Sequence, residues 1–471
     1  MQTSFTLAQL LDPQVASSEK ILRACVHCGF CLATCPTYVL LADELDSPRG
    51  RIYLIKEMLE QNKPPTRDVV KHIDRCLSCL ACMTTCPSGV HYMHLVDHAR
   101  ERIEKSYKRP LIERALRALL ARVLTDPSLF RLAVVAGLVT RPLAPVLDLL
   151  GLHRIAAMLK LTPHRKPAPP VERTGKVYPA EGKRRGRVAL LSGCINPVLA
   201  PSTDEAAIRL LNRHGIEVVV AAGEGCCGSL LHHMGREDQA LAQARNNIDA
   251  WTREIEGDGL DAILVTVSGC GTTVKDYGFM FRNDLTHADK AARVSARARD
   301  VTEYVATLPL QTGKLPAPMT VAYHAACSLQ HGQKVMREPV DLLRKSGFVV
   351  KDIPEGHLCC GSAGTYNILQ PALANQLRAQ AWQYRTAEAG CHCGWQYRLH
   401  HAARRRHNDA RRAYHRAARL GQRWSSARAA CCYREGAGEL AAAARLHRHH
   451  GPHSMRDEMA LTAGTLYGFC E

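Results

Sequence analysis

The second half of the chain alternates short β-branched runs with longer segments whose apolar residues recur at helical spacing. Five runs have the length and composition of buried strands: residues 187–191, 216–221, 262–267, 319–323 and 348–353. Strands that alternate with helices are typical of a sheet in which most strands run parallel. The pattern therefore predicts an α/β region over this part of the chain.

The first half follows a different pattern, and the changes in pattern divide the chain into regions. Residues 49–61 predict a helix between cysteine-rich loops, and residues 109–161 predict further helices. Residues 162–187 are rich in proline, lysine and arginine, which is typical of a linker. We predict an α/β plus α fold with this division: a helical cysteine-rich module (1–108), a helical segment and linker (109–186), two repeats (187–315 and 316–380) and an aberrant tail (381–471).

The most apolar stretch of the chain, residues 129–152, is interrupted by charged residues and prolines: Arg131, Arg141, Pro142, Pro145 and Asp148. A spanning helix needs about 20 nearly uncharged residues, so the sequence predicts no membrane span. Residues 111–161 carry apolar positions with interleaved arginines. Two interpretations stay open, a basic amphipathic surface for peripheral membrane attachment or helices that pack on the next region, and the second is favoured.

Composition indicates a reduced, intracellular setting. The chain has 471 residues and 20 cysteines, and it is long enough to form ordinary cores without disulfides. Its start has no basic segment followed by an apolar one, so we expect no signal peptide and a cytoplasmic location. The formal net charge is +18, but aromatic residues make up only 5% of the chain and no nucleic-acid-binding module is recognisable, so we expect no nucleic-acid partner.

Eight cysteines fall into two copies of one spacing, each closed by a proline: Cys25, Cys28, Cys31, Cys35 and Pro36, then Cys76, Cys79, Cys82, Cys86 and Pro87. This spacing is the cluster-binding pattern of bacterial ferredoxins, in which the fourth cysteine of each run ligates the other cluster. It predicts two [4Fe-4S] clusters, one held by Cys25, Cys28, Cys31 and Cys86, the other by Cys76, Cys79, Cys82 and Cys35. Zinc sites or disulfides do not explain the repeated spacing.

The α/β region contains a second repeat of cysteines. A lone cysteine is followed, after 31 intervening residues, by a Cys-Cys-Gly turn, once in each half: Cys194 with Cys226 and Cys227, and Cys327 with Cys359 and Cys360. Cys270 also follows a predicted strand. Because ligand sites in open α/β sheets lie beyond the carboxyl ends of the strands, we expect these seven cysteines to gather there as a cofactor-binding site for a further cluster or redox group. The glycines of the two turns fit close approach of the backbone to such a group. Buried structural cysteines are the alternative.

Beyond the cysteines, residues 46–52, 87–90 and 357–367 resemble the iron-sulfur subunit of bacterial glycolate oxidase. The resemblance covers residues 1 to about 380. It implies an electron carrier without catalytic residues of its own, beside flavin-containing glycolate oxidase subunits that oxidise glycolate to glyoxylate. Electrons would pass to a quinone or another acceptor, in the cytoplasm or at the inner face of the cell inner membrane. No G-x-G-x-x-G sequence follows a predicted strand, which also places the flavin in a partner.

The same repeats occur in related families, so alternatives to glycolate oxidase stay open. They are the iron-sulfur subunit of a D-lactate or glycerol-3-phosphate dehydrogenase, and a catalytic subunit similar to heterodisulfide reductase that performs thiol or disulfide chemistry. Substrate choice in the first group belongs to the flavin subunit, which leaves no signature in this chain.

The resemblance stops near Gln380. Residues 381–471 contain 15 arginines and 9 histidines but no lysine, valine or isoleucine, a composition that cannot supply a buried strand. Codons for residues 395–402, read one nucleotide later, can encode the Gly-Asn-Ile-Gly-Cys turn that the family has at this point. We therefore predict a frameshift near Gln380, which makes the later cysteines artefacts and removes the fourth cysteine of the second repeat.

Overall fold

The computed structural model describes residues 1–386, except 165, 168, 171–172 and 311–318. The predicted frameshift and the cysteines after Gln380 fall beyond or at the edge of these residues, so they stay predictions. The helix that contains Gln380 continues to Thr386.

Seven short helices form the cysteine-rich module: α1 (Leu7–Leu10), α2 (Pro13–Ala24), α3 (Pro36–Leu41), α4 (Pro48–Gln61), α5 (Arg67–Asp74), α6 (Ala81–Thr85) and α7 (Tyr92–Ser106). Proline opens α2, α3 and α4, where its fixed φ suits a first helical turn and its missing N–H costs nothing. Helices α4, α5 and α7 share a core that includes Ile55, Ile73 and Leu95. The predicted helix at 49–61 is confirmed.

Four helices follow: α8 (Leu111–Val123), α9 (Pro127–Thr140), α10 (Ala144–Leu149) and α11 (His153–Leu161). A short 3-10 turn, Arg141–Leu143, joins α9 to α10 without a break in the helical path. The stretch Pro127–Leu149, 23 residues, is long and apolar enough to cross a membrane by length and composition, and only 17% of its most apolar window is buried. Charges and prolines therefore do not exclude this stretch by length and composition, and the prediction that the chain has no membrane span stays a prediction.

A five-stranded sheet carries the first repeat. Its elements are β1 (Val177–Tyr178), β2 (Gly186–Leu190), α12 (Asn196–Leu199), α13 (Pro201–Arg213), β3 (Ile216–Val219), α14 (Ser229–His233), α15 (Glu237–Glu256), β4 (Ala262–Val265), α16 (Ser268–Met280), α17 (Ala288–Arg297), β5 (Ala298–Asp300) and α18 (Val301–Ala306). The strand order is β1-β3-β2-β4-β5, with all pairs parallel except β1 with β3. Helices cover both faces, which explains why β4 is buried along its whole length.

The second repeat is smaller within the described residues. It comprises β6 (Met319–Ala322), a π-helical turn (Ser328–Gly332), α19 (Glu338–Lys345), β7 (Phe348–Lys351), α20 (Tyr366–Leu369) and α21 (Pro371–Thr386). Strands β6 and β7 pair in parallel as a separate two-stranded sheet. All five strands predicted from the sequence exist, whereas β1 and β5 were missed because they are too short to show a pattern.

The predicted linker is folded at its end. Strand β1 pairs with β3, and Arg173 is buried, where it donates hydrogen bonds to Asp204 at 3.0 Å and Glu205 at 2.8 Å. Residues from Arg173 onward therefore belong to the first repeat rather than to a linker, and the predicted extension of the linker to residue 187 is wrong.

Candidate metal centre

The two ferredoxin-type loops have the same backbone conformation at equivalent positions. His27 and Ser78, each two residues after the first cysteine of its motif, have φ of 56° and 52°. Gly29 and Leu80, each one residue after the second cysteine, have φ of 87° and 63°. Left-handed residues other than glycine are rare, and alternation of left- and right-handed residues turns backbone N–H groups toward one centre. The two loops are therefore shaped for the same kind of anionic ligand.

The structure brings the first predicted ligand set together. Cys25, Cys28, Cys31 and Cys86 line one cavity, and Cys82 of the second set lines it as well. Cys86 comes from the second motif and lies directly after the last residue of α6 (Ala81–Thr85). This is the exchange of the fourth cysteine that the motif predicts. The assignment of individual ligands stays a prediction.

The second set, Cys76, Cys79, Cys82 and Cys35, is also compact. Burial raises the pKa of Cys79 to about 12, and the charges of Cys35 and Cys76 add to this effect. The pKa of Cys82 is raised well above its usual value, first by burial and then by Cys79, Cys76 and Cys35. Thiolates packed this closely repel each other, so bound cations are needed to keep them deprotonated. The donor set therefore fits an iron-sulfur cluster.

A buried ion cluster lies against this second set. Arg51 is 1% exposed and donates from Nη1 to Cys35 Sγ at 3.8 Å and from Nη2 to Asp46 Oδ1 at 3.3 Å. Burial alone would lower the Arg51 pKa, but the charges of Cys76, Tyr92, Cys35 and Asp46 raise it overall. Arg75 binds the other Asp46 oxygen at 2.6 Å. The segment 46–52 carries part of the family resemblance, but the sequence did not predict its role beside the cluster.

Two further side chains hold the Cys76 loop. The Tyr92 hydroxyl donates to Cys76 Sγ at 3.7 Å, and Arg100 donates to the Cys76 carbonyl at 2.7 Å and to Ser78 Oγ at 2.5 Å. Hydrogen bonds to cluster sulfurs and nearby charge set the reduction potential. Nothing in the sequence pattern marked Tyr92 or Arg100 for this role, because both are ordinary positions on the buried face of α7.

In the first repeat four cysteines meet at the carboxyl ends of neighbouring strands. Cys194 follows β2, Cys226 and Cys227 follow β3, and Cys270 lies in the first turn of α16 after β4. Hydrogen bonds from the Cys194 and Cys227 thiols hold the pKa of Cys226 well below its usual value, although burial opposes this shift. Cys227 in turn contacts Cys270, and its own pKa is raised by these two bonds and by burial. Four thiols linked in a row by successive contacts are suited to binding one soft metal cluster or to thiol chemistry.

Buried polar side chains hold the first Cys-Cys turn in place. Asn247, which is fully buried, accepts from Gly225 N at 2.8 Å and donates to the Cys226 carbonyl at 3.0 Å. The Tyr277 hydroxyl donates to the Cys227 carbonyl at 2.7 Å. Glu224 accepts from Trp251 Nε1 at 3.0 Å, and burial raises its pKa to about 8. Sequence reasoning missed these residues, because they come from α15, α16 and the loop after β3 and carry no spacing signal.

The second repeat gathers three cysteines, and they lie against the second ferredoxin-type set. The Cys359 thiol is hydrogen bonded to Cys327, which by itself would lower its pKa, but Cys360 and burial raise the pKa well above its usual value. Cys327 and Cys359 share a buried cluster with Leu77, and Cys79 packs against that cluster. The second repeat is therefore contiguous with the second ferredoxin-type set, which suits electron transfer between them.

The same structural reason requires glycine as the last residue of each Cys-Cys-Gly turn. Gly228 and Gly361 have φ of +83° and +81°, and a Cβ there would meet the carbonyl oxygens of Ala240 and Ala374 at 2.8 and 2.7 Å. The sequence predicts that these glycines admit a cofactor close to the backbone. In the structure they admit a helix, α15 or α21, which packs against the turn.

Comparison with known proteins agrees with this architecture. Residues 24–90 match the model of the 4Fe-4S dicluster domain, and residues 188–275 and 321–394 match the model of a cysteine-rich domain. The glycolate oxidase iron-sulfur subunit of Escherichia coli strain K12 is 46% identical over 379 residues, which cover 80% of this chain and 88% of the relative. The chain belongs to the family of glycolate oxidase iron-sulfur subunits.

Members of this family and more distant relatives extend the match. A probable glycolate oxidase iron-sulfur subunit of Bacillus subtilis strain 168 is 30% identical over 372 residues, 76% of this chain and 83% of the relative. One subunit of the fumarate reductase (CoM/CoB) of Methanothermobacter marburgensis is 26% identical over 376 residues, 78% of this chain and 64% of the relative. The predicted family, fold class and pair of [4Fe-4S] clusters are confirmed.

Proposed function

We propose that this chain is the electron-transfer subunit of a 2-hydroxy-acid oxidoreductase of the glycolate oxidase type. It receives electrons from a flavin-containing partner that converts glycolate to glyoxylate, and it passes them to a quinone or another acceptor. The observation that carries this proposal is the pair of adjoining thiol sets, joined by the exchange of Cys35 and Cys86. We assign the eight ferredoxin-type cysteines as ligands on the same ground.

The division of labour follows from the chemistry of the groups. Oxidation of a 2-hydroxy acid to a 2-oxo acid releases two electrons and two protons, and a flavin accepts the electrons as a pair. Cubane clusters carry single electrons, so two of them suit a two-electron donor. Burial of Cys35 and Cys76 and the charge of Arg51 adjust the second site without direct contact with the substrate.

We also place the chain in the cytoplasm, attached peripherally to the inner face of the cell inner membrane. Leu132, Val139 and Leu149 in α9 and α10 are 66%, 76% and 88% exposed. Together with the length of Pro127–Leu149, this apolar surface supports contact with a bilayer.

The test uses the full-length chain, reconstituted with iron and sulfide without oxygen, and the flavoprotein subunits of a glycolate oxidase. We expect about eight irons in the ferredoxin-type module. Glycolate should reduce the clusters only when the flavoprotein is present, as measured by loss of visible absorption and by the appearance of a paramagnetic signal. Oxidation of glycolate by this chain alone, or clusters that stay oxidised in the complete mixture, would contradict the proposal.

A second function, thiol or disulfide chemistry at the first repeat, is favoured by one observation. The four thiols there are in contact, and the pKa of Cys226 lies well below its usual value because Cys194 and Cys227 donate to it. The reduced chain would then cleave a small disulfide without any flavoprotein. Loss of that activity in Cys226→Ser, with the ferredoxin-type clusters retained, would support this second function over the first.

A further inference from the structure

A cavity of about 460 Å³ lies between the helical segment and the second cysteine loop. Leu120, Val134 and Met158 line it from α8, α9 and α11, and Cys76 and Ser78 line it from the second cysteine loop. Residues beside the repeat cysteines, Ile195, Ser229, Gly269 and Ser328, line it as well. Small-molecule sites typically have volumes of roughly 300–1,000 Å³ and mostly apolar walls. The cavity therefore has the size and lining of a ligand site, and it borders a predicted cluster ligand.

The polarity of the lining changes from one side to the other. The helices contribute mainly aliphatic side chains and Phe130. The polar side chains near Cys76 are Asp74, Ser78 and Arg100, together with Arg117 of α8, which contacts Asp74 at 3.1 Å. Arg100 is anchored by its bonds to the Cys76 carbonyl and to Ser78, so its position is fixed beside the cluster loop. A ligand with a polar redox head and a long apolar tail matches this gradient.

Helix α9 forms part of the cavity wall and is apolar on two sides. Phe130, Val134 and Gly137 line the cavity, and Leu132, Val135 and Val139 are 66%, 44% and 76% exposed. A helix that is apolar all around is normally enclosed by protein or by lipid. Since the outer side is exposed in the chain by itself, a bilayer would cover it, and the cavity would lie one helix away from the lipid phase.

We propose that this cavity binds a lipophilic quinone, with the quinone ring beside Cys76 and the isoprenoid tail between α8, α9 and α11. The inference rests on the proposed function, because the reductant is the reduced flavoprotein partner. Two electrons released by the 2-hydroxy acid and two protons taken from water convert the quinone to the hydroquinone, while the acid becomes the 2-oxo acid.

Binding is tested without substrate and without the flavoprotein. The full-length reconstituted chain is exposed to an azido derivative of a short-tailed ubiquinone, irradiated and digested, and the labelled peptides are identified. We expect label in α8, α9 or α11. Val134→Trp fills the cavity and should weaken binding of the unmodified short-tailed quinone at least tenfold, whereas Val135→Trp, the neighbouring exposed position, should leave it unchanged.

The possible results of this experiment either support or contradict quinone binding in the cavity. Label confined to other parts of the chain, or equal affinity of the two tryptophan variants, would overturn the proposal. Equal displacement of the probe by a long-chain fatty acid would show a site for acyl chains rather than for quinones. If Val134→Trp loses its iron, Met158→Trp on α11 provides the second cavity-filling variant. Quinone binding without glycolate-driven cluster reduction would contradict the proposed function and leave this site standing.

Discussion

The ferredoxin-type module and the Cys-Cys-Gly repeats both gather thiols, but they do so by different means. In the module, the cysteines lie a few residues apart, and left-handed residues such as His27 and Ser78 shape the loops around them. In the first repeat, Cys194 and Cys270 are far apart in sequence and meet because β2 and β4 are parallel neighbours. The first kind of site depends on loop conformation, and the second depends on the whole sheet.

The largest expected effect is on cluster content. Cys35→Ser should remove the cluster of the second set and about four of the eight ferredoxin-type irons, because a hydroxyl is a poor ligand for iron in a cubane. Electron paramagnetic resonance of the reduced chain should then show one isolated cluster instead of two interacting ones. Cys360→Ser is the matched variant in the repeats and should leave the interacting signal intact. If Cys360→Ser also abolishes that signal, the two regions are not independent.

Glycine substitutions should destabilise the Cys-Cys-Gly turns more than the ferredoxin-type loops. Gly361→Ala adds a Cβ at 2.7 Å from the Ala374 carbonyl in a left-handed conformation, so we expect a loss of about 3 kcal/mol in unfolding free energy. Gly29→Ala should cost only about 1 kcal/mol. Its Cβ would meet the flexible end of Arg49 at 3.0 Å, and the equivalent residue of the other loop is Leu80. Denaturant unfolding under anaerobic conditions measures the unfolding free energy of both variants. Equal losses in the two variants would contradict the expected difference between the two kinds of turn.

The contact between α7 and the first repeat should make the stability of the chain depend on pH. His232 contacts Asp97 at 3.4 Å and also Glu237, while Arg100 and His233 contact Asp97 at 3.6 and 3.3 Å. Burial alone would lower the His232 pKa, but Asp97 and Glu237 raise it well above its ordinary value of 6.5. The charges of His232 and His233 lower the Asp97 pKa well below 3.8 against the effect of burial.

The sign of the pH effect follows from these directions. The His232 contribution is fully present below pH 6.5 and is lost as pH rises through its raised folded pKa, while the Asp97 contribution is present above pH 3.8 and is lost as pH falls below that value. His232→Gln should therefore lower the unfolding free energy by about 2 kcal/mol near pH 6, and by less at strongly alkaline pH. A difference that grows as pH rises would contradict this assignment.

The smallest expected effect concerns the charge of Arg51. Arg51→Met should lower the reduction potential of the second cluster by on the order of 60 mV, which corresponds to about 1.4 kcal/mol for one electron. The positive charge favours the more negative, reduced form, so its removal makes reduction harder. Arg51→Lys should restore most of the potential, and Arg23→Gln, at an exposed surface ion pair, should leave it unchanged. A redox titration, monitored by paramagnetic resonance, shows whether Arg51 acts through its charge or through its packing. If Arg51 acts through packing, lysine would not restore the potential.

Much of the fold could be predicted because the signals are local. Strand β4 is a continuous apolar run, β2 and β3 are apolar apart from Gly186, Arg187 and Glu217, and the helix at Pro48–Gln61 begins at a serine cap followed by proline. The misses have physical reasons. Strands β1 and β5 have only two and three residues, and the proline-rich stretch before β1 is held by Arg173, whose partner Asp204 lies 31 residues away.

The sequence by itself determined that this protein has a pair of sites for [4Fe-4S] clusters. The spacing of the cysteines and the terminal proline of each motif is a local property, so it can be recognised without knowledge of the fold. It likewise determined the two repeats, since equal spacing places equivalent cysteines after equivalent strands. Only the tertiary structure decided what surrounds those cysteines. Arg51 beside Cys35, Asp97 beside His232 and the cavity between α9 and Cys76 join residues that are distant in sequence, and such residues acquire a common environment only when helices and sheet pack together.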